Sequence, residues 1–96
     1  MVASSEQISK LRITVKYKMF SRVALKANLP RHRLRRGDLA TIVDYHQGRP
    51  GQEPGYSLEV FNAVGDTVGV ITLRESQIEA LTAKSVLHAR PLSAAR

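Results

Sequence analysis

Leu34-Arg-Arg-Gly-Asp-Leu-Ala-Thr-Ile-Val43 is the stretch whose reading decides the fold. Gly37 has no Cβ and can take a positive φ, so the chain can turn sharply there. Asp38 can bond nearby backbone and hold that turn. Residues 39–45 then carry the β-branched, alternating composition of a strand. A basic loop ending in Gly-Asp therefore feeds directly into a β-strand.

Upstream, residues 12–19 alternate. Ile13, Val15, Tyr17 and Met19 share one face, and Arg12, Thr14, Lys16 and Lys18 share the other. A period of two argues for a strand. The alternation resumes with Val23 and Leu25 against Arg22 and Lys26. One strand of that length would span roughly 50 Å, too long for a small domain. A break is therefore expected near residues 19–21, with an added edge strand or arm before it and the first barrel strand after it. Residues 27–36 read as a loop broken by Asn28 and Pro30 and anchored by Leu29 and Leu34.

Downstream, residues 46–55 hold three glycines and two prolines, a tip or binding loop. Tyr56, Leu58 and Val60 alternate on one strand face. Residues 62–66 form a tight turn with Gly65 at positive φ. The strand over residues 67–73 carries Gly69, which suits a bulge. Residues 74–81 read as one or two helical turns, with Ile78 and Leu81 inward. Residues 86–89 are expected to form the closing strand. The fold class that follows is all-β: an SH3-like, partly open small barrel of about five strands, with a short helical turn before the last. Residues 1–18 are read as an N-terminal extension or arm, 19–91 as the barrel and 92–96 as a tail.

The chain has 96 residues and a formal net charge of +7. Between Glu6 and Asp38 no acid occurs, and ten of the fifteen basic residues lie there, from Lys10 to Arg36. Such a field attracts phosphate backbones, anionic surfaces or an acidic protein. No run approaches the ~20 apolar residues of a membrane span. Residues 1–10 lack the apolar core of a secretory signal. With no cysteine, disulfides, thiolate metal sites and thiol catalysis are excluded, and a cytoplasmic setting is expected.

Catalysis finds little support in the sequence. His32, His46 and His88 lack metal-ligand spacing, the acids are scattered, and Gly48-Arg-Pro-Gly51 is not followed by the Lys-Ser/Thr of a phosphate loop. The expectation is a non-enzyme with no cofactor and no metal. The candidate contact residues are Arg31, Arg33, Arg35 and Arg36 on the loop and Lys16 and Lys18 on the first strand face. Tyr45 and Tyr56, flanking the Gly/Pro loop, are a stacking platform if the partner is nucleic acid, or barrel caps with wet hydroxyls if it is not. A protein partner is the first reading, with a homodimer through the N-terminal edge strand as one form of it. RNA or DNA binding through the basic strand face and loop is the alternative.

Val23-Ala-Leu, Asn28-Leu-Pro30 and Leu34 to Val43, followed by Tyr56-Ser-Leu-Glu-Val-Phe61, Gly65-Asp66, Val70-Ile-Thr-Leu73 and Val86-Leu-His88, resemble a family of short bacterial proteins. That family is classed as a domain of unknown function and is common in cyanobacteria. The resemblance spans about residues 18–91. It implies a small SH3-like barrel with no known enzymatic activity, encoded beside other small proteins in an accessory or antitoxin-like arrangement. Asn28, in place of an acid, Ala40, in place of a glycine, and Ala89 and Arg90, in place of a tyrosine-glutamate pair, depart from the family pattern and together make this chain more basic than that pattern. No binding residue is carried over.

Overall fold

The computed structural model describes residues 15–92. Strands β1 (Arg22–Leu25), β2 (Leu39–His46), β3 (Gly55–Phe61), β4 (Thr67–Arg74) and β5 (Ile78–Ala80) form one antiparallel sheet in the order β4-β3-β2-β1-β5. The sheet is open, with β4 and β5 at its edges. Two 3-10 turns, Pro30–His32 and Glu75–Gln77, interrupt the strands. All five strands send side chains to one core, which contains Val23, Leu25, Ile42, Tyr56, Leu58, Ile71 and Ile78. A single sheet can bury one face this way only by curling around it.

The Gly-Asp turn forms as its residues dictate. Gly37 sits at φ +91° and its N–H reaches Leu25 O at 2.8 Å. The Asp38 Oδ2 atom accepts the Arg35 N–H at 2.7 Å. No atom crowds the position a Cβ would take at Gly37, so the glycine is required by the backbone alone. Gly37→Ala is therefore expected to lower stability by roughly 1–2 kcal/mol, read from chemical denaturation. A cost near zero would show that the turn relaxes freely.

Two bulges set which side chains face inward. Ile42 pairs with Leu58 and Asp44 with Ser57, so Val43 is an extra residue in β2. The insertion shifts the alternation by one and turns both Ile42 and Tyr45 toward the core. In β4 the register jumps between Val60↔Gly69 and Phe61↔Thr67, which places the second bulge at Val68, beside the expected Gly69. The turn over residues 62–66 closes with Gly65 at φ +91°, its Asn62 side chain accepting the N–H groups of Val64 and Asp66.

Three expectations are corrected. Residues 15–20 are not a strand, and the earlier part of the expected edge strand lies outside the described residues. Tyr17 turns inward, 7% exposed, while Val15 and Met19 face solvent. The expected break is at Phe20, in the left-handed region at φ 65°. Tyr17 also shows that the core takes a residue from the segment assigned to the N-terminal arm. The helical turn is shorter than expected, only Glu75–Gln77: the Gln77 carboxamide accepts the Arg74 N–H and caps its start, and the chain turns extended at Ile78 to pair with Leu25. The closing strand is Ile78–Ala80 rather than residues 86–89. Ile78 pairs with Leu25 and is buried against it, whereas Val86 is exposed and has no apolar surface to cover.

Candidate functional site

The loop between β1 and β2 is fastened at both ends and in the middle. Leu29 and Leu34 exchange backbone hydrogen bonds at 2.8 and 3.1 Å, and Leu34 is buried in the core. The loop between these anchors bends through the 3-10 turn Pro30–His32 and exits through Arg33 in the left-handed region, φ 58°. A non-glycine residue held there costs on the order of 1 kcal/mol, so the surrounding contacts must impose it. Asn28 Oδ1 accepts the Arg36 N–H at 2.9 Å. The backbone is thus held by neutral groups and by Asp38. The side chains of Arg31, Arg33, Arg35 and Arg36 remain exposed.

Asp38 has a second role that the sequence did not announce. Arg90, far along the chain, donates Nε to Asp38 Oδ1 at 2.9 Å and Nη2 to Oδ2. The same Nη2 reaches Arg33 O at 3.1 Å. Burial alone would raise the Asp38 carboxyl, but the Arg90 hydrogen bond, the Arg35 N–H and the two arginine charges outweigh it and hold it below the ordinary carboxylate range. This fork ties the strand-free segment after β5 across the loop. Its apolar residues Leu87 and Leu92 line an open groove of about 620 Å³ together with Leu39, Val60 and Phe61.

The acids of this protein are largely engaged with its own structure. Asp38 holds Arg90. Glu53 accepts the N–H and hydroxyl of Ser76 at 2.8 and 2.9 Å, which pins the Gly/Pro loop to the second 3-10 turn. Glu59 accepts the Thr67 hydroxyl, Glu75 the Tyr56 hydroxyl and Asp44 the Tyr45 N–H. Among the described residues only Arg90 and, at 4.0 Å, Arg74 have an acidic partner. Among these residues the loop arginines make no ion pair, and only the Arg35 charge bears on a carboxylate, that of Asp38.

Of the other expected contact residues, Lys16 and Lys18 are exposed, and Lys16 lies over the Tyr17 ring at 5.5 Å. The stacking platform does not form. Tyr56 is 0% exposed, and Tyr45 packs edge-on against it at 5.4 Å with its hydroxyl buried and unpartnered. The bulge at Val43 explains this, because it brings Tyr45 around to the core side. The most exposed aromatic, ahead of Phe61 at 43%, is instead Phe20, 73% exposed. No local pattern marks it; the left-handed kink alone turns it out.

His46 Nε2 and Ser57 Oγ lie 2.7 Å apart, and Ser57 in turn approaches Thr72. A catalytic dyad needs a group to orient the histidine and donors for a developing oxyanion. Here the pair sits on the exposed face of β2 and β3 as a cross-strand polar contact, with no acid against the ring. Among the described residues no three His, Asp or Glu side chains gather as metal ligands do, and no helix is long and apolar enough to cross a membrane.

These features define a small all-β protein: one curled five-stranded sheet whose fastened loop presents free arginines beside its open edge. A family model described as a domain of unknown function (DUF4926) matches residues 19–80, and the chain belongs to that family. No curated protein and no solved structure matches it.

Proposed function

We propose that this SH3-like small barrel is a non-enzymatic module that binds an acidic protein partner through the β1–β2 loop. One observation carries the reading: five of the acids bond the protein's own groups while, among the described residues, Arg31, Arg33, Arg35 and Arg36 stand exposed without an ion pair on a fastened backbone. A held loop loses little conformational freedom on docking, and complementary charge both steers encounter and fixes orientation. RNA or DNA binding is the second reading. Phe20, exposed between Lys18 and Arg22, favours it as a surface on which a base could stack. The core positions of Tyr45 and Tyr56 weigh against it.

Retention on heparin and on RNA as salt is raised separates the two readings. A protein-binding module is expected to co-purify with a stoichiometric protein in the presence of nuclease. Micromolar affinity for RNA at physiological salt, falling steeply as salt is added, would overturn it. Replacing Arg35 and Arg36 together with glutamate should weaken binding to the acidic partner roughly tenfold or more, with at most a small fall in melting temperature. Their side chains make no hydrogen bond or ion pair among the described residues, and only the Arg35 charge acts on Asp38. Unchanged binding would show the loop to be only a solvated surface.

A further inference from the structure

Strand β4 ends the sheet: among the described residues its only backbone–backbone partner is β3, and apart from Arg74, whose N–H Gln77 takes, no β4 backbone group meets a side chain. Alternate N–H and C=O groups of an edge strand point away from the sheet and template another chain. Sequences usually blunt such an edge with brevity, lysine or proline. The opposite edge, β5, is three residues long. Strand β4 is eight residues long and carries no proline and no charge before Arg74. Two valines stand out from it, Val68 at 39% and Val70 at 61% exposure. The bulge at Val68 leaves residues 69–74 as its regular part.

Opposite this edge stands the basic loop. Arg31, Arg33 and Leu34 form one wall, and Val60, Val70 and Ile71 the other, of a cavity of about 230 Å³. Small-molecule pockets run from about 300 to 1,000 Å³, so this space suits inserted side chains better than a ligand. This seam runs between the β4 edge and the β1–β2 loop, with the buried Leu34, Val60 and Ile71 at its base and arginines on one side.

We propose that β4 accepts an extended strand from an acidic partner protein. This deepens, and rests on, the protein-binding reading above. The added strand continues the sheet through main-chain hydrogen bonds, as in other β-augmentation complexes. Alternate apolar side chains enter the seam against Leu34, Val60 and Ile71, and acidic side chains meet Arg31 and Arg33. Charge favours an acidic partner over a second copy of this chain as the occupant. Two molecules at +7 each would bring their unpaired loop arginines to the same seam, and like-charge juxtaposition opposes that pairing.

The test uses the whole protein and a peptide of about nine residues, long enough to run along β4, alternating valine and glutamate. Binding and amide hydrogen exchange are followed by NMR. The peptide is expected to bind and to slow exchange in residues 68–73. Alternate backbone N-methylation of the peptide, or Arg31→Glu with Arg33→Glu in the protein, should each weaken binding roughly tenfold or more. The double variant's melting temperature reports that it remains folded. Equal binding by the N-methylated peptide overturns the strand-addition proposal while leaving the protein-binding reading intact. Equal binding by a valine–lysine peptide overturns the charge assignment. A concentration-dependent dimer of the protein alone, with β4 amides protected, identifies a second copy as the occupant and overturns the acidic partner. Failure of the valine–glutamate peptide to bind, together with salt-steep RNA binding, overturns this proposal and the protein-binding reading together.

Discussion

Tyr56→Ala is expected to cost roughly 3–5 kcal/mol, a large share of the ~5–15 kcal/mol that holds a domain folded. Tyr56 is the largest fully buried side chain, and the rings of Tyr17 and Tyr45 meet it edge-on at 5.5 and 5.4 Å. Truncation removes the shared member of both aromatic pairs and leaves a cavity at the centre of the core. Tyr56→Phe keeps the ring and loses only the hydrogen bond to Glu75, 2.9 Å long. Because Glu75 is only half-buried, its carboxylate can return to water, and the expected cost is about 0.5–1.5 kcal/mol. Tyr45→Phe, by contrast, removes a buried hydroxyl that has no partner and is expected to be neutral or stabilising. The phenol of Tyr56 is pushed up to about 12 by burial and by the Glu75 carboxylate. A raised value means that the neutral phenol stabilises the folded state fully below the ordinary tyrosine value near 10, and that this contribution is lost as pH climbs toward 12. Urea melts of wild type and Tyr56→Phe across that range test the assignment. Equal alkaline destabilisation of the two would place its origin elsewhere.

Asp38→Ala is expected to cost roughly 2–3 kcal/mol, the range of a hydrogen-bonded charged group, and to release the segment over residues 82–92. One carboxylate holds the Arg35 N–H at the turn and the Arg90 guanidinium across it, and both side chains of the pair are only 18% exposed. Arg90→Ala breaks the tie but keeps the turn, so it should free the same segment at smaller cost. Amide hydrogen exchange in residues 82–92 reports the release. Denaturation reports the turn. The pH dependence has a fixed sign: a depressed carboxyl stabilises the folded state above its ordinary value and loses that contribution as pH falls through its folded value. The tie should therefore loosen below about pH 4 and not on the alkaline side. Slow exchange in residues 82–92 of Asp38→Ala would show that another contact holds the segment.

Arg90 illustrates what was hidden in the sequence. It lies 52 residues from Asp38 in a stretch with no strand or helix, and nothing local marks it as a partner. Asp38 itself was legible as a turn residue from Gly37 beside it, because turn chemistry is local. The strand faces were legible where alternation ran unbroken, as in Tyr56, Leu58 and Val60. The inward turn of Tyr45 was not legible, because the extra residue Val43 inverts the phase and a bulge is decided by the partner strand. The opening alternation of Ile13, Val15, Tyr17 and Met19 misled for a related reason. Period two describes a segment able to be a strand, and residues 15–19 find no strand to pair with.

By itself the sequence determined an all-β chain, the positions of its tight turns, the break at residues 19–21, its family and a basic loop rich in arginine. These follow from backbone preferences and short-range patterning, which depend on neighbours in the chain. Only the tertiary structure decided which strand closes the sheet, which tyrosines are core, that Arg90 clasps Asp38, and that among the described residues the loop arginines stand without ion pairs beside the β4 edge. Those outcomes depend on which surfaces distant segments can bury together and on which acids the fold itself engages. Both are properties of pairs that chain spacing does not encode.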